Sequence, residues 1–412
     1  MALTQTPPPC RPVGPTGVAH RKDRSHDPRF DLNPIRGLVC LWIALIHTCG
    51  NAVAVVEQWT GSNDLTYYTS VYRFGVEFFL VLTGFLLAHM VRPTDLAYFS
   101  VRNFLVKRYV RLIVPYQVAI GILAVNYLAG EILLGRTYGI SNSWTWVPVF
   151  FGVSDVLGLP FPIGAFWSMQ PMFQFYFLWI LGFWIVRRRL RGYEPADLNH
   201  AALRVMRYLT IGVTVVSCGA YATAFPAVIN DGHWSLPYTA WLVGAGMIVY
   251  WAATGQIAVR WMLALGAACV LANVALFLRT GRVEAHTTWG YKVIPIGAVL
   301  FAVGRQYRFP DCGVVRYLGG VGRWSFSIYL THMLIGPKVF WAANLLFHPT
   351  GIGALIVYVV EFAAILAGGF VFFTLVESPI ARYCQRYNYR GKLSTVPSDR
   401  TPPLGLKLPI PV

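Results

Sequence analysis

With 412 residues, of which 56% are hydrophobic and only 12% charged, the chain has too little polar surface to solvate a globule. Ordinary soluble domains carry charge on about a quarter of their positions. A formal charge of +17 would point to nucleic acid in a soluble protein, but apolar runs recur along almost the whole length, so the excess is a membrane-topology signal and no nucleic-acid partner is expected.

Residues 1–33, rich in Pro, Arg and Asp, contain no apolar stretch and are expected to form a disordered cytoplasmic tail. Ten apolar windows follow: Ile35 to Val56, Val71 to Val91, Leu112 to Leu134, Phe166 to Val186, Val205 to Ile229, Tyr238 to Ala253, Ile257 to Leu278, Thr288 to Val303, Phe326 to Phe347 and Ile352 to Val376. Most approach the roughly 17 to 25 residues that cross a bilayer. The sixth and eighth are short, and Pro295 interrupts the eighth. Residues 383–412 are a second polar tail, leaving residues 34–382 as one integral-membrane domain.

Loop charges test this count, because Lys and Arg accumulate in cytoplasmic loops and a missed span would invert the alternation. Bases fill the N-terminal tail, the second loop (Arg92, Arg102, Lys107, Arg108), the fourth (Arg187, Arg188, Arg189, Arg191, Arg204), the eighth (Arg305, Arg308, Arg316, Arg323) and the C-terminal tail. The intervening loops are nearly free of them, with Arg279 and Arg282 a mild exception. The expectation is an all-α, polytopic helical membrane bundle of about ten transmembrane helices, both termini cytoplasmic.

Seven cysteines (Cys10, Cys40, Cys49, Cys218, Cys269, Cys312, Cys384) show no CxxC and no metal-ligand spacing, so neither a disulfide framework nor a metal site is expected. The first window carries Arg36 and His47. Eleven residues advance a helix by about 16 Å and turn it nearly three times, which puts both on one face, Arg36 at the cytoplasmic mouth and His47 near mid-bilayer. An imidazole at that depth either lines a cavity or bonds a neighbouring carbonyl as a packing group, and Arg36 below it favours the first reading. At the third window, Arg108 and Arg111 are three apart and share an α-helical face, as a phosphate clamp requires, although ordinary positive-inside charge gives the same pattern.

Together these residues resemble the motifs of acyltransferase family 3, bacterial membrane proteins that O-acylate surface polysaccharides, peptidoglycan, lipooligosaccharides and some secreted small molecules. Arg36 through His47 resembles the family's Arg-x10-His, and Arg108 to Arg111 with Pro115 resembles its RxxR. Gly75 to Phe85 is similar to its GVDxFFxxSGF stretch, Trp167 to Tyr176 to WSLxxExxFY, Leu318 to His332 to LGxxSYSxYLxH, and Glu377-Ser378-Pro379 to the closing ExP. The likeness runs from Asn33 to about Arg382, in the expected order. Asn33, Glu77 and Thr83 stand where Asp, Asp and Ser are usual, and Met172 stands where a Glu is common.

The resemblance implies transfer of an acyl group, most often acetyl, from cytoplasmic acyl-coenzyme A to a hydroxyl of a surface or exported carbohydrate or glycolipid, in the inner membrane and without a metal. On that reading His47 and Glu77 are the candidate catalytic residues, His47 as general base or transient acyl carrier. Arg36, Arg108 and Arg111 would bind the coenzyme A phosphates. Trp167, Gln174, Tyr176, His332 and Glu361 are candidates for the acceptor side, Glu361 as a substitute for the carboxylate that Met172 lacks. Glu77 lies one turn from Arg73, so mutual neutralisation and acceptor contact both stay open. Trp144, Trp146 and Trp167 suit either sugar stacking or interfacial anchoring. Two rival readings remain: a secondary transporter or flippase, which also needs buried charge, and a scaffold that has lost catalysis.

Overall fold

The computed structural model describes residues 31–48, 53, 56–57, 59–61, 75–92, 99–135, 144–157, 159, 166, 168–190, 195–230, 236–281, 289–305 and 309–387. Every regular element among them is a helix. Trp167, Arg73, Cys10, Cys49 and most of both predicted tails lie outside the described residues.

In chain order the helices are α1 (Asn33–Thr48), α2 (Val76–Met90), α3 (Val101–Arg108), α4 (Val114–Leu134), α5 (Trp146–Phe150), α6 (Met169–Arg189), α7 (Pro195–Asn230), α8 (Leu236–Ala253), α9 (Val259–Thr280), α10 (Trp289–Gly304), α11 (Gly313–Arg323), α12 (Ser325–Phe347), α13 (Ile352–Phe372) and α14 (Ser378–Cys384). A π-helical segment, Tyr109–Ile113, joins α3 to α4, and another, Phe373–Glu377, joins α13 to α14.

A helix stands at each of the ten predicted windows. Six are long and apolar enough to cross a membrane: Val101–Leu133, Met169–Arg189, Asp197–Thr223, Leu236–Ala253, Val259–Arg279 and Ile352–Cys384. Val76–Met90 and Gly290–Gly304 are apolar but shorter. The described residues are thus all-helical, and the chain is a multi-pass membrane protein.

The sequence reading missed two features on the polar side. Residues 305–323 read as a charged loop, yet Gly313–Arg323 folds into α11, which lies along α1. In addition, α7 begins at Pro195, well ahead of the predicted Val205.

Helix α8 is the hub. Every residue from Thr239 to Ala253 is buried, and α2, α6, α7, α9 and α10 all pack on it. A helix that is apolar all round must be kept from water by lipid or by its neighbours, and here its neighbours enclose it. Contact with α2 is made backbone to backbone, because a Cβ on Gly84 would strike the Val243 carbonyl and one on Gly246 the Val81 carbonyl. Small residues permit this approach where no aqueous hydrophobic effect drives helices together.

Helices α1, α11, α12 and α13 form a second assembly. Gly37 lies against the Leu318 carbonyl and Gly322 against that of Asn33, which locks α1 to α11. The Cys40 thiol donates to the Ser325 carbonyl at 3.3 Å, and the Tyr358 hydroxyl donates to the Leu45 carbonyl at 3.4 Å, tying α1 to α12 and α13. These contacts fix the face of α1 that carries Arg36 and His47.

Candidate functional site

His47 and His332 meet although 285 residues separate them in the chain. Nδ1 of His47 lies 3.1 Å from Nε2 of His332, with ring centroids 5.0 Å apart. Nδ1 of His332 is in turn 2.7 Å from the Tyr329 carbonyl. A carbonyl oxygen only accepts, so the proton of His332 sits on Nδ1. Neutral His332 then presents Nε2 as an acceptor, and Nδ1–H of His47 donates to it. In neutral His47 this leaves the basic lone pair on Nε2.

His332 is held rigidly, being 1% exposed. Its own turn is anchored by Tyr329, whose hydroxyl shares a 2.7 Å hydrogen bond with Ser168 at the start of α6. From sequence His332 was one acceptor-side group among several. The structure makes it the partner of His47.

Toward the start of α1, Arg36, Arg108, Arg111 and Glu377 act on one another electrostatically: Arg111 senses Arg108, Arg36 and Glu377, and Arg36 senses Glu377. Two π-helical turns deliver two of these groups. Each turn lies just ahead of a proline, Pro115 or Pro379, whose missing N–H cannot bond the carbonyl four residues back. The first turn carries Arg111 and the second ends at Glu377. Glu377 also accepts from Ser327 of α12 at 2.6 Å.

The π turn alters one expectation. Arg108 and Arg111 do not share a regular α-helical face, because Arg108 ends α3 and Arg111 lies in the widened turn. Arg108 stands over the Phe104 and Tyr176 rings, 5.6 and 5.8 Å from their centroids, within cation–π range. Arg111 is exposed while remaining within reach of the other charges. Tyr176, predicted for the acceptor side, thus stands against Arg108.

Glu77 pairs with a residue that sequence reading did not single out. Its Oε1 is 3.7 Å from Lys292 Nζ on α10, and both side chains are buried. Its Oε2 accepts the Gly75 N–H at 3.1 Å. This pair joins α2 to α10 at the end of the bundle away from Arg36. Lys292 stood inside the eighth window, and a lysine within an apolar run was the available signal.

Gln174 donates to Asp155 Oδ1 at 2.6 Å, while Gln170 takes the Asp155 N–H at 3.0 Å and exchanges hydrogen bonds with Ser154. Together they dock the segment after α5 onto the start of α6. Burial holds the Asp155 carboxyl above the usual carboxylate range, partly offset by the Gln174 hydrogen bond. Met172 is buried, and its sulfur accepts from the Thr83 hydroxyl at 3.2 Å. Trp144 is exposed, whereas Trp146 packs edge-on against Tyr127.

Glu361 is 4% exposed, at the junction of α1, α12 and α13. Among the described residues its Oε2 has no hydrogen-bond partner. No cluster of three or more His, Cys, Asp or Glu side chains among them is arranged to hold a metal ion.

A family model described as an acyltransferase domain, Acyl_transf_3, matches residues 29–376. No curated protein and no solved structure matches the chain. The matched segment includes every site residue named above except Glu377, and it accounts for most of the chain: the protein belongs to acyltransferase family 3.

Proposed function

We propose that the protein is an inner-membrane O-acyltransferase that moves an acyl group, acetyl by the habit of its family, from cytoplasmic acyl-coenzyme A to a hydroxyl of a cell-surface or exported carbohydrate. The observation that carries this reading is the chain from the Tyr329 carbonyl through His332 to His47, which presents a lone pair on His47 Nε2. Ten crossings with both termini in the cytoplasm put Arg36 on the donor side, as the basic loops require.

On this reading Arg36, Arg108 and Arg111 bind the coenzyme A phosphates, guanidinium forks being suited to that geometry. The negative charge of Glu377 acts on both Arg36 and Arg111 and offsets their mutual repulsion. As the acceptor hydroxyl attacks the thioester carbonyl, its proton passes to His47 Nε2. The C–S bond then breaks, and the thiolate takes that proton back, leaving ester and free thiol. His332 orients the base. A neutral imidazole acceptor does this without the full charge that a carboxylate would bring to the developing imidazolium. Glu77, already paired with Lys292, serves the architecture rather than the proton transfer.

Purified protein supplied with labelled acetyl-coenzyme A and alkali-deacetylated surface glycan is expected to label the glycan. His47→Ala should abolish labelling, and Arg111→Ala should weaken coenzyme A binding at least tenfold. Glycan moved across vesicles with no covalent change would favour a transporter, and wild-type protein that fails to bind coenzyme A would favour an inactive scaffold.

A further inference from the structure

Glu361 has no place in the mechanism above, yet its setting is unusual for a carboxylate. It is 4% exposed in the middle of α13, and among the described residues nothing bonds Oε2. An ionisable group at such depth is expensive, and one lacking a partner is the costliest kind to keep. A purely structural position would be filled more stably by an apolar side chain of similar size.

Its surroundings also leave it room. A Cβ on Gly336 would come within 2.8 Å of Glu361 Oε1, 3.1 Å of Ile365 Cδ1 and 3.4 Å of Thr48 Cγ2. The carboxylate thus occupies the space that any larger residue at 336 would need. Gly336 is one helical turn beyond His332 on the same face of α12, and Thr48 directly follows His47. Glu361 therefore lies beside the histidine pair, displaced along α12 away from Ser327 and the arginine cluster. Among the described residues neither α1, α12 nor α13 supplies a partner for Oε2.

Met172 makes the same point from another helix. Where the family commonly has a carboxylate, this chain has a thioether engaged with Thr83. Position 172 therefore offers no carboxylate to an acceptor hydroxyl, whereas Glu361 does.

We propose that the Glu361 carboxylate binds the acceptor, accepting a hydrogen bond from a hydroxyl next to the one being acylated and so selecting which hydroxyl of a polyhydroxylated ring reaches His47 Nε2. This rests on the acyl-transfer reading above. Carboxylates accept from two hydroxyls at once, so the chemistry fits a carbohydrate with neighbouring free hydroxyls better than an isolated alcohol. Gly336 is the matching positioning residue.

The test is steady-state transfer from acetyl-coenzyme A to alkali-deacetylated surface glycan by wild type, Glu361→Gln and Gly336→Ala, with coenzyme A affinity measured alongside. Glu361→Gln keeps the shape and loses the charge; it should raise the glycan KM at least tenfold, leave the coenzyme A Kd within twofold, and not lower the unfolding temperature in detergent. Gly336→Ala should raise the glycan KM in the same direction by displacing the carboxylate. Unchanged glycan KM in both variants overturns the proposal, as does a joint loss of glycan affinity, coenzyme A affinity and thermal stability. Wild-type protein that leaves the glycan unlabelled overturns the acyl-transfer reading itself, and this inference with it.

Discussion

The α2/α8 interface and the α1/α11/α12 assembly use the same device for opposite ends. In both, paired glycines bring two helices into backbone contact: Gly84 with Gly246 in the first, Gly37 with Gly322 in the second. Around α8 the enclosed surface is apolar, and the contact only builds a wall. Around α1 the contact clamps a helix whose inner face carries Arg36 and His47, so closeness becomes precision. Rigid backbone contact in a membrane is thus neutral with respect to function, and the polar groups it fixes decide what the helix does.

The comparison breaks most sharply at the wall. Gly246→Val should leave no folded protein on size-exclusion chromatography, because the obstacle is a carbonyl of α2 that cannot step aside. Next comes the ion pair at the edge of that wall. Lys292→Met alone should cost about 3–5 kcal/mol by isolating a buried Glu77 charge, whereas adding Glu77→Gln should restore most of it. Thermal unfolding of the two variants checks this, and a double variant without activity would return Glu77 to the chemistry. In the second assembly the expected loss is catalytic. His332→Phe should slow transfer about 100-fold with coenzyme A affinity kept, the size expected for losing a correctly held general base.

Local periodicity made part of this legible from the sequence. Arg36 and His47 share a helix, so a 3.6-residue repeat was enough to align them, and apolar windows located every long helix. Long-range pairing carries no such signal. The His47 to His332 contact joins residues 285 apart in the chain, and Glu77 pairs with Lys292 of a helix far along the sequence. The regular-helix assumption also failed between Arg108 and Arg111, where Pro115 removes an N–H and the chain widens into a π turn; the same event before Pro379 brings Glu377 to those arginines. Helix α11 escaped because its charges were weighed as topology and its spacing was not.

The account depends on which nitrogen of His47 is basic. Solid-state NMR of the protein with 15N-labelled histidine, assigned by comparison with His47→Ala and His332→Phe, reads this directly. The account predicts neutral His47 with its proton on Nδ1 and an unprotonated Nε2, a preference that His332→Phe removes. A resting His47 protonated on Nε2, indifferent to the loss of His332, would contradict it.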